Sequence, residues 1–176
     1  VGVTDMAEIY SRGRLWFKVP QTTAVRLSGS LRPNVSAKDM ALMVIGELGA
    51  DGATYKTVEY IGPAAEALSI SGRMTMCNLG VEMGAKAAIV PPDEKTEQFL
   101  AGRARRSYQP VYSDPGSYDL ILEYDISHLE PQVAVPFRVD SVRPVSELAG
   151  LPVDQVFIGT CTNGRLEDLE IGRAHV

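Results

Sequence analysis

The chain has 176 residues, 45% of them hydrophobic and 22% charged, with 17 basic against 22 acidic side chains and a net charge of −5. This composition suffices for one substantial core, or for two small ones sharing an interface, and argues against an intrinsically disordered chain. Basic residues are scattered outside Arg103–Arg106, which excludes a nucleic-acid surface. No apolar run reaches the ~18 residues of a membrane span, and the first residues are not a signal peptide. Two cysteines, Cys77 and Cys161, do not make a disulfide framework, so the expectation is a soluble protein in a reducing cytoplasm.

Thr4 or Asp5 caps a first short helix through Tyr10, ended by Gly13, and Leu15–Val19 reads as a strand stopped by Pro20. Thr23–Ser28 reads as a second, hairpin-like strand and Leu31–Asn34 as a turn. Ser36 and Asp39 form a capping box, and Met40, Met43, Val44 and Leu48 recur at helical spacing until Gly49. After the Asp51-Gly52 turn come a strand over Tyr55–Ile61 and a short helix over Pro63–Leu68. Met74–Ala85 is again helical, followed by a short buried strand, Ala87–Val90, and the stop Pro91-Pro92. Asp93 caps a helix carrying Phe99 and Leu100. Ser107–Ser117 is a polar loop, and Leu120–Tyr124 is a strand. Glu130–Pro152 holds four prolines and is expected to cross between two subdomains, 1–118 and 119–170. Strands alternating with helices predict a layered α/β architecture.

Chemistry concentrates in two stretches. In Gly159–Gly164 (Gly-Thr-Cys-Thr-Asn-Gly), Cys161 lies between the strand-like run Val156–Ile158 and the helix-like run Arg165–Leu169. A thiolate at a helix N-terminus is favoured by the dipole and by free backbone N–H groups, which suits metal ligation or nucleophilic attack. The bland alternative is a small apolar filler. The flanking glycines and the hydroxyls of Thr160 and Thr162 weigh against it, because they permit close backbone approach and supply donors. In Thr75–Ala85, Asn78 and Glu82 are four residues apart, so a regular helix projects both from one face, where amide and carboxylate grip a polar ligand together. The alternative makes Glu82 a solvated helix residue and Asn78 a cap. Gly80, Gly84 and Ala85 thin that helix for a close neighbour.

Together these stretches resemble the iron-sulfur-bearing large subunit of the aconitase superfamily, most closely the prokaryotic 3-isopropylmalate dehydratase and homoaconitase group. Val156–Leu169 is similar to the first cluster-cysteine signature and Met74–Ala85 to the middle motif. Leu15–Thr22 and Leu129–Val133 match in order and spacing. The resemblance implies part of an α/β/α iron-sulfur domain in which Cys161 is one of three cysteines holding a [4Fe-4S] cluster, the other two lying beyond this chain. It further implies that Asn78 and Glu82 stand near the cluster, with Thr160, Thr162 and Asn163 as neighbours, and that Cys77 is not a ligand. The resemblance also implies a small swivelling-domain subunit that supplies the proton-abstracting serine. The implied activity is isomerisation of 2-isopropylmalate to 3-isopropylmalate by dehydration and rehydration in leucine biosynthesis, with homoaconitase as the alternative and a hydroxy di- or tricarboxylate as substrate.

Two readings of other classes stand beside it. One is a truncated, non-catalytic binding module. The other is a thiol-nucleophile hydrolase, which needs a histidine base and finds only His128 and His175. The six residues Ile171–Val176 match the in-frame translation of a sequencing adapter, so native sequence is expected to end near Glu170, and the chain begins as though a preceding strand and loop had been removed.

Overall fold

The computed structural model describes residues 2–160 and 162–173, the last three as backbone. It contains, in order, α1 (Val3–Arg12), β1 (Thr22–Ser28), α2 (Ala37–Leu48), β2 (Thr57–Ile61), α3 (Pro63–Ala67), α4 (Ile70–Asn78), β3 (Ala87–Ile89), α5 (Glu94–Leu100), β4 (Leu120–Asp125), β5 (Gln132–Ala134), β6 (Val142–Pro144) and α6 (Leu166–Arg173). Four strands form one parallel sheet in the order β3-β2-β1-β4. β1 is central, pairing Thr22–Arg26 with Thr57–Ile61 of β2 and Thr23–Ser28 with Leu120–Asp125 of β4.

Parallel neighbours need crossovers, and the helices supply them. α2 joins β1 to β2, and α3 and α4 join β2 to β3. Val25, Leu27, Val58 and Tyr60 on one sheet face meet Met40, Val44 and Ile45 of α2 and Met76 of α4, all completely buried. Each such aliphatic side chain contributes up to about 1.5–3 kcal/mol. The opposite face carries Glu59, 4% exposed, which accepts hydrogen bonds from Ser113 Oγ (2.6 Å) and Tyr118 Oη (3.2 Å) of the loop before β4. A layered α/β architecture is therefore present, and the expected division between residues 118 and 119 is crossed by the sheet itself through the β1–β4 ladder.

Several local expectations change. Thr23–Ser28 belongs not to a hairpin but to the central parallel strand. Leu15–Val19 forms no strand: Trp16 is 84% exposed, and the Lys18 amide donates to the Tyr55 hydroxyl (3.3 Å) rather than to a ladder. Val156–Ile158 likewise forms no strand and is exposed. In both segments the side chains favour a pleated surface, but no neighbouring strand among the described residues offers one. β3 is an edge strand rather than a buried one, because β2 pairs with only one of its sides. Glu130–Pro152 contains an antiparallel pair, β5 with β6, that packs on α2.

Two polar hubs fix the helices. The Asp39 carboxylate, in the first turn of α2, accepts from the Ser36 amide (2.7 Å) and hydroxyl (2.8 Å) through one oxygen and from the Gln132 amide (2.7 Å) through the other. The capping box read from sequence thus also anchors β5. Arg73 of α4, 5% exposed, forks onto Asp93 and donates to the Glu66 carbonyl (2.8 Å), tying α3, α4 and the cap of α5 together. The Arg73 guanidinium holds the Asp93 carboxyl well below the usual carboxylate range. A depressed folded-state value stabilises the fold above the ordinary aspartate value of about 4 and is lost as pH falls below it. Asp93→Asn keeps the cap geometry but removes the charge. It is expected to lower the unfolding temperature at pH 7, with the deficit narrowing below about pH 4. A deficit independent of pH in thermal unfolding across that range would refute the ion-pair account.

Candidate functional site

The site is built on α4 and the chain after it. Ser69 caps α4, its hydroxyl accepting from the Gly72 amide (3.0 Å). The expected regular helix over Met74–Ala85 does not persist. α4 ends at Asn78 and a 3-10 segment runs over Leu79–Met83. A Cβ on Gly80 would lie 2.6 Å from Ala88 Cβ, so the glycine serves close packing of this segment against β3 rather than approach by a ligand. Four residues apart means about 40° in an α-helix but about 120° in 3-10 geometry. Asn78 and Glu82 accordingly part. Asn78 Oδ1 accepts from the Thr162 hydroxyl (3.3 Å), whereas Glu82 lines an open cleft with Lys38, Leu42, Leu79 and Gln132.

Gly164 folds back against Gly159 and Thr160. A Cβ on Gly164 would lie 2.7 Å from the Thr160 carbonyl oxygen, so only glycine permits this closure. Thr160 takes φ +80°, a sparsely populated conformation for a β-branched residue, directly before Cys161. Cys161 itself lies outside the described residues, as does His175. The expected helix follows as α6, its first turn closed by Asp168, which accepts from the Arg165 amide (2.9 Å). The Arg165 side chain forms no ion pair with Glu167 or Asp168 among the described residues.

The loop and the helix meet. Thr75, 1% exposed, donates its hydroxyl to the Thr162 carbonyl (3.0 Å), and Ser69 donates to both carboxylate oxygens of Glu167 (2.8 and 2.9 Å). Of the residues singled out in the sequence, Asn78 and Thr162 are brought into direct contact. Thr160 and Asn163 flank them in the same loop. Ser69, Thr75 and Glu167 were not singled out. The only sequence signal was local: a serine placed to cap the helix that carries Thr75.

The remaining candidates separate from this contact. Burial pushes the Cys77 thiol up, an effect partly offset by the Val90 amide donating to its sulfur, so it stays a protonated, half-buried thiol at neutral pH. His128 is exposed beside Asp125 in the turn after β4, and no hydrogen bond joins it to the loop among the described residues. Nor do any three His, Cys, Asp or Glu side chains among the described residues gather as a metal site. What the sequence of this loop offers a bound inorganic group is one thiol, Cys161, among hydroxyl- and amide-bearing residues. That donor set suits one corner of a cluster, not a whole one.

No helix of the described chain is long and apolar enough to cross a membrane. Residues 1–152 match the family model of the aconitase family (aconitate hydratase). The chain is 59% identical over 172 residues to a probable methanogen homoaconitase large subunit of Methanosarcina mazei, covering 97% of this chain and 44% of that protein. It is 52% identical to 3-isopropylmalate dehydratase large subunit 1 of Methanopyrus kandleri, again over 97% of this chain and 41% of the relative. The 3-isopropylmalate dehydratase large subunit of Halothermothrix orenii is 48% identical, with the same two coverages of 97% and 41%. The chain thus spans about two-fifths of the length of the relatives it matches. With the matched region taking in α4 and, in these relatives, the Thr162 loop as well, the chain belongs to the aconitase family.

Proposed function

We propose that this chain is part of the large subunit of a [4Fe-4S]-dependent hydro-lyase that isomerises 2-isopropylmalate to 3-isopropylmalate by dehydration and rehydration, working in the cytoplasm with a small subunit. The observation that carries the reading is the Thr162–Asn78 contact, which joins the cysteine loop to α4 across 84 positions. Homoaconitase is a second reading, favoured by the 59% identity to the Methanosarcina mazei protein of that name.

In this reading Cys161 holds one corner of the cluster, and the two other cysteine ligands come from outside the chain. When bound, the cluster supplies a Lewis-acidic iron that eases departure of a hydroxyl group. The chain's own side chains then bind and orient. Asn78 has its carbonyl oxygen occupied by Thr162, which leaves its amide N–H groups to donate to a substrate hydroxyl or carboxylate oxygen. Glu82 carries an acceptor into the neighbouring cleft, where it receives or holds a hydroxyl proton. Thr160 and Asn163 stand near Cys161 in the chain as further donors to the cluster, and Thr162, whose hydroxyl proton goes to Asn78, contributes by fixing the loop.

Anaerobic assays of the full-length protein with its small subunit on 2-isopropylmalate and on homocitrate test the activity and separate the two readings. Turnover of neither substrate would remove both. Cys161→Ser is expected to abolish cluster retention, and a variant that keeps its visible absorbance and activity would refute the assignment. Glu82→Gln is expected to retain the cluster while turnover falls about 10- to 100-fold, and unchanged kinetics would place Glu82 outside the site. Cys77 should alkylate far more slowly in the folded than in the denatured protein, because burial pushes its thiol up, lowering the thiolate fraction, and shields the sulfur from the reagent. Equal rates, mapped by mass spectrometry, would contradict that burial.

A further inference from the structure

We propose that α4 sets the position of the cysteine-bearing loop through a hydroxyl clasp, in which Ser69, Thr75 and Glu167 are positioning residues. The inference rests on the proposed role of Cys161 as a ligand. The clasp has three contacts along α4, from its cap to its last residue. Ser69 Oγ donates to the Glu167 carboxylate (2.8 and 2.9 Å), Thr75 Oγ1 donates to the Thr162 carbonyl (3.0 Å), and Asn78 Oδ1 accepts from Thr162 Oγ1 (3.3 Å).

Each contact does more than local structure requires. Ser69 already caps α4 by accepting from the Gly72 amide, and its proton then points to a carboxylate 98 positions away. Amide, hydroxyl and carboxylate thus form one polarised chain, stronger than its separate links. Thr75 is 1% exposed, and among the described residues the acceptor of its hydroxyl is the Thr162 carbonyl of the loop rather than a carbonyl of its own helix. The loop, in turn, has no sheet to hold it: residues 151–160 form neither strand nor helix, and Val156, Phe157 and Ile158 are exposed. Its orientation relative to α4 therefore depends on these directional bonds, which grip it on the C-terminal side of Cys161.

The test uses the full-length protein purified without oxygen, in cluster-loaded and cluster-free forms. Hydrogen exchange is followed in peptides spanning residues 159–169, and the rate of cluster loss to a chelator is read from visible absorbance. Thr75→Val keeps the shape and removes the hydroxyl. It should raise exchange in that segment of the cluster-free protein by about tenfold, the usual weight of one hydrogen bond, and should speed cluster loss several-fold. Thr75→Ser should restore both, and Glu167→Gln should give a smaller change in the same direction. Unchanged exchange and unchanged cluster loss in Thr75→Val and Glu167→Gln would overturn the clasp, as would acceleration that Thr75→Ser fails to rescue. Faster exchange in Thr75→Val, in a protein that never holds a cluster even unaltered, would uphold the clasp and overturn only the cluster reading.

Discussion

The parallel pairing of β1 on both of its edges is the constraint from which the remaining architecture follows. A strand flanked by β2 and β4 in the same direction cannot be reached by hairpins, so each connection must leave one end of the sheet and return to the other. The crossovers bring α2 and α4 side by side against the face that carries Val25, Leu27, Val58 and Tyr60. Their order is fixed in turn by the two hubs, Asp39 holding the start of α2 to β5 and Arg73 holding α4 to the cap of α5. With α4 immobilised through Met76 and Arg73, its Ser69, Thr75 and Asn78 become a fixed reference for the loop of Thr162.

How much of this could be read from the residues differs by element, for a physical reason in each case. α2 was legible because its signals are local and agree: a serine cap, an aspartate three residues on, apolar residues at helical spacing and a terminating glycine. The strands of the sheet were legible as strands but not in their pairing, since a parallel partner is chosen by crossover packing and not by the strand itself. Leu15–Val19 and Val156–Ile158 show the converse. Their aromatic and β-branched residues fit a pleated surface, but a strand exists only with a neighbour, which a segment's own composition does not encode. In Met74–Ala85 the spacing of Met76, Leu79 and Met83 suits an α-helix, so nothing local announced the 3-10 segment. The switch at Leu79 accompanies the tight approach of Gly80 to Ala88, a tertiary contact.

The candidate site divides the same way. Asn78 and Thr162 were each legible as polar groups in glycine-bearing, strand- or helix-adjacent motifs, yet their contact spans 84 positions and depends on the whole sheet. The pairing of Asn78 with Glu82 on one face was overturned by backbone geometry, which leaves the amide to the loop and the carboxylate to the cleft beside Lys38 and Gln132. Ser69 and Glu167 carried no signal of their contact, because a capping serine and a helical glutamate are ordinary residues until they are placed opposite each other.

The chemical consequence lies in the kind of force that holds the loop. Burial of apolar surface is strong but non-directional, and here it is spent on the sheet and on α2 and α4, while Val156, Phe157, Ile158 and Leu166 around the loop remain exposed. Hydrogen bonds are individually modest, but they fix distance and angle. A thiol that must present its sulfur to an inorganic group needs its backbone placed to within fractions of an ångström rather than merely kept in the neighbourhood. Gly164 closes the turn, Thr160 takes a left-handed conformation beside Cys161, and Thr75 and Asn78 grip the residue on its other side. In the proposed reading, placing Cys161 falls to backbone and hydroxyl groups, and the proton chemistry falls to Glu82, which lines the cleft of Lys38 and Gln132.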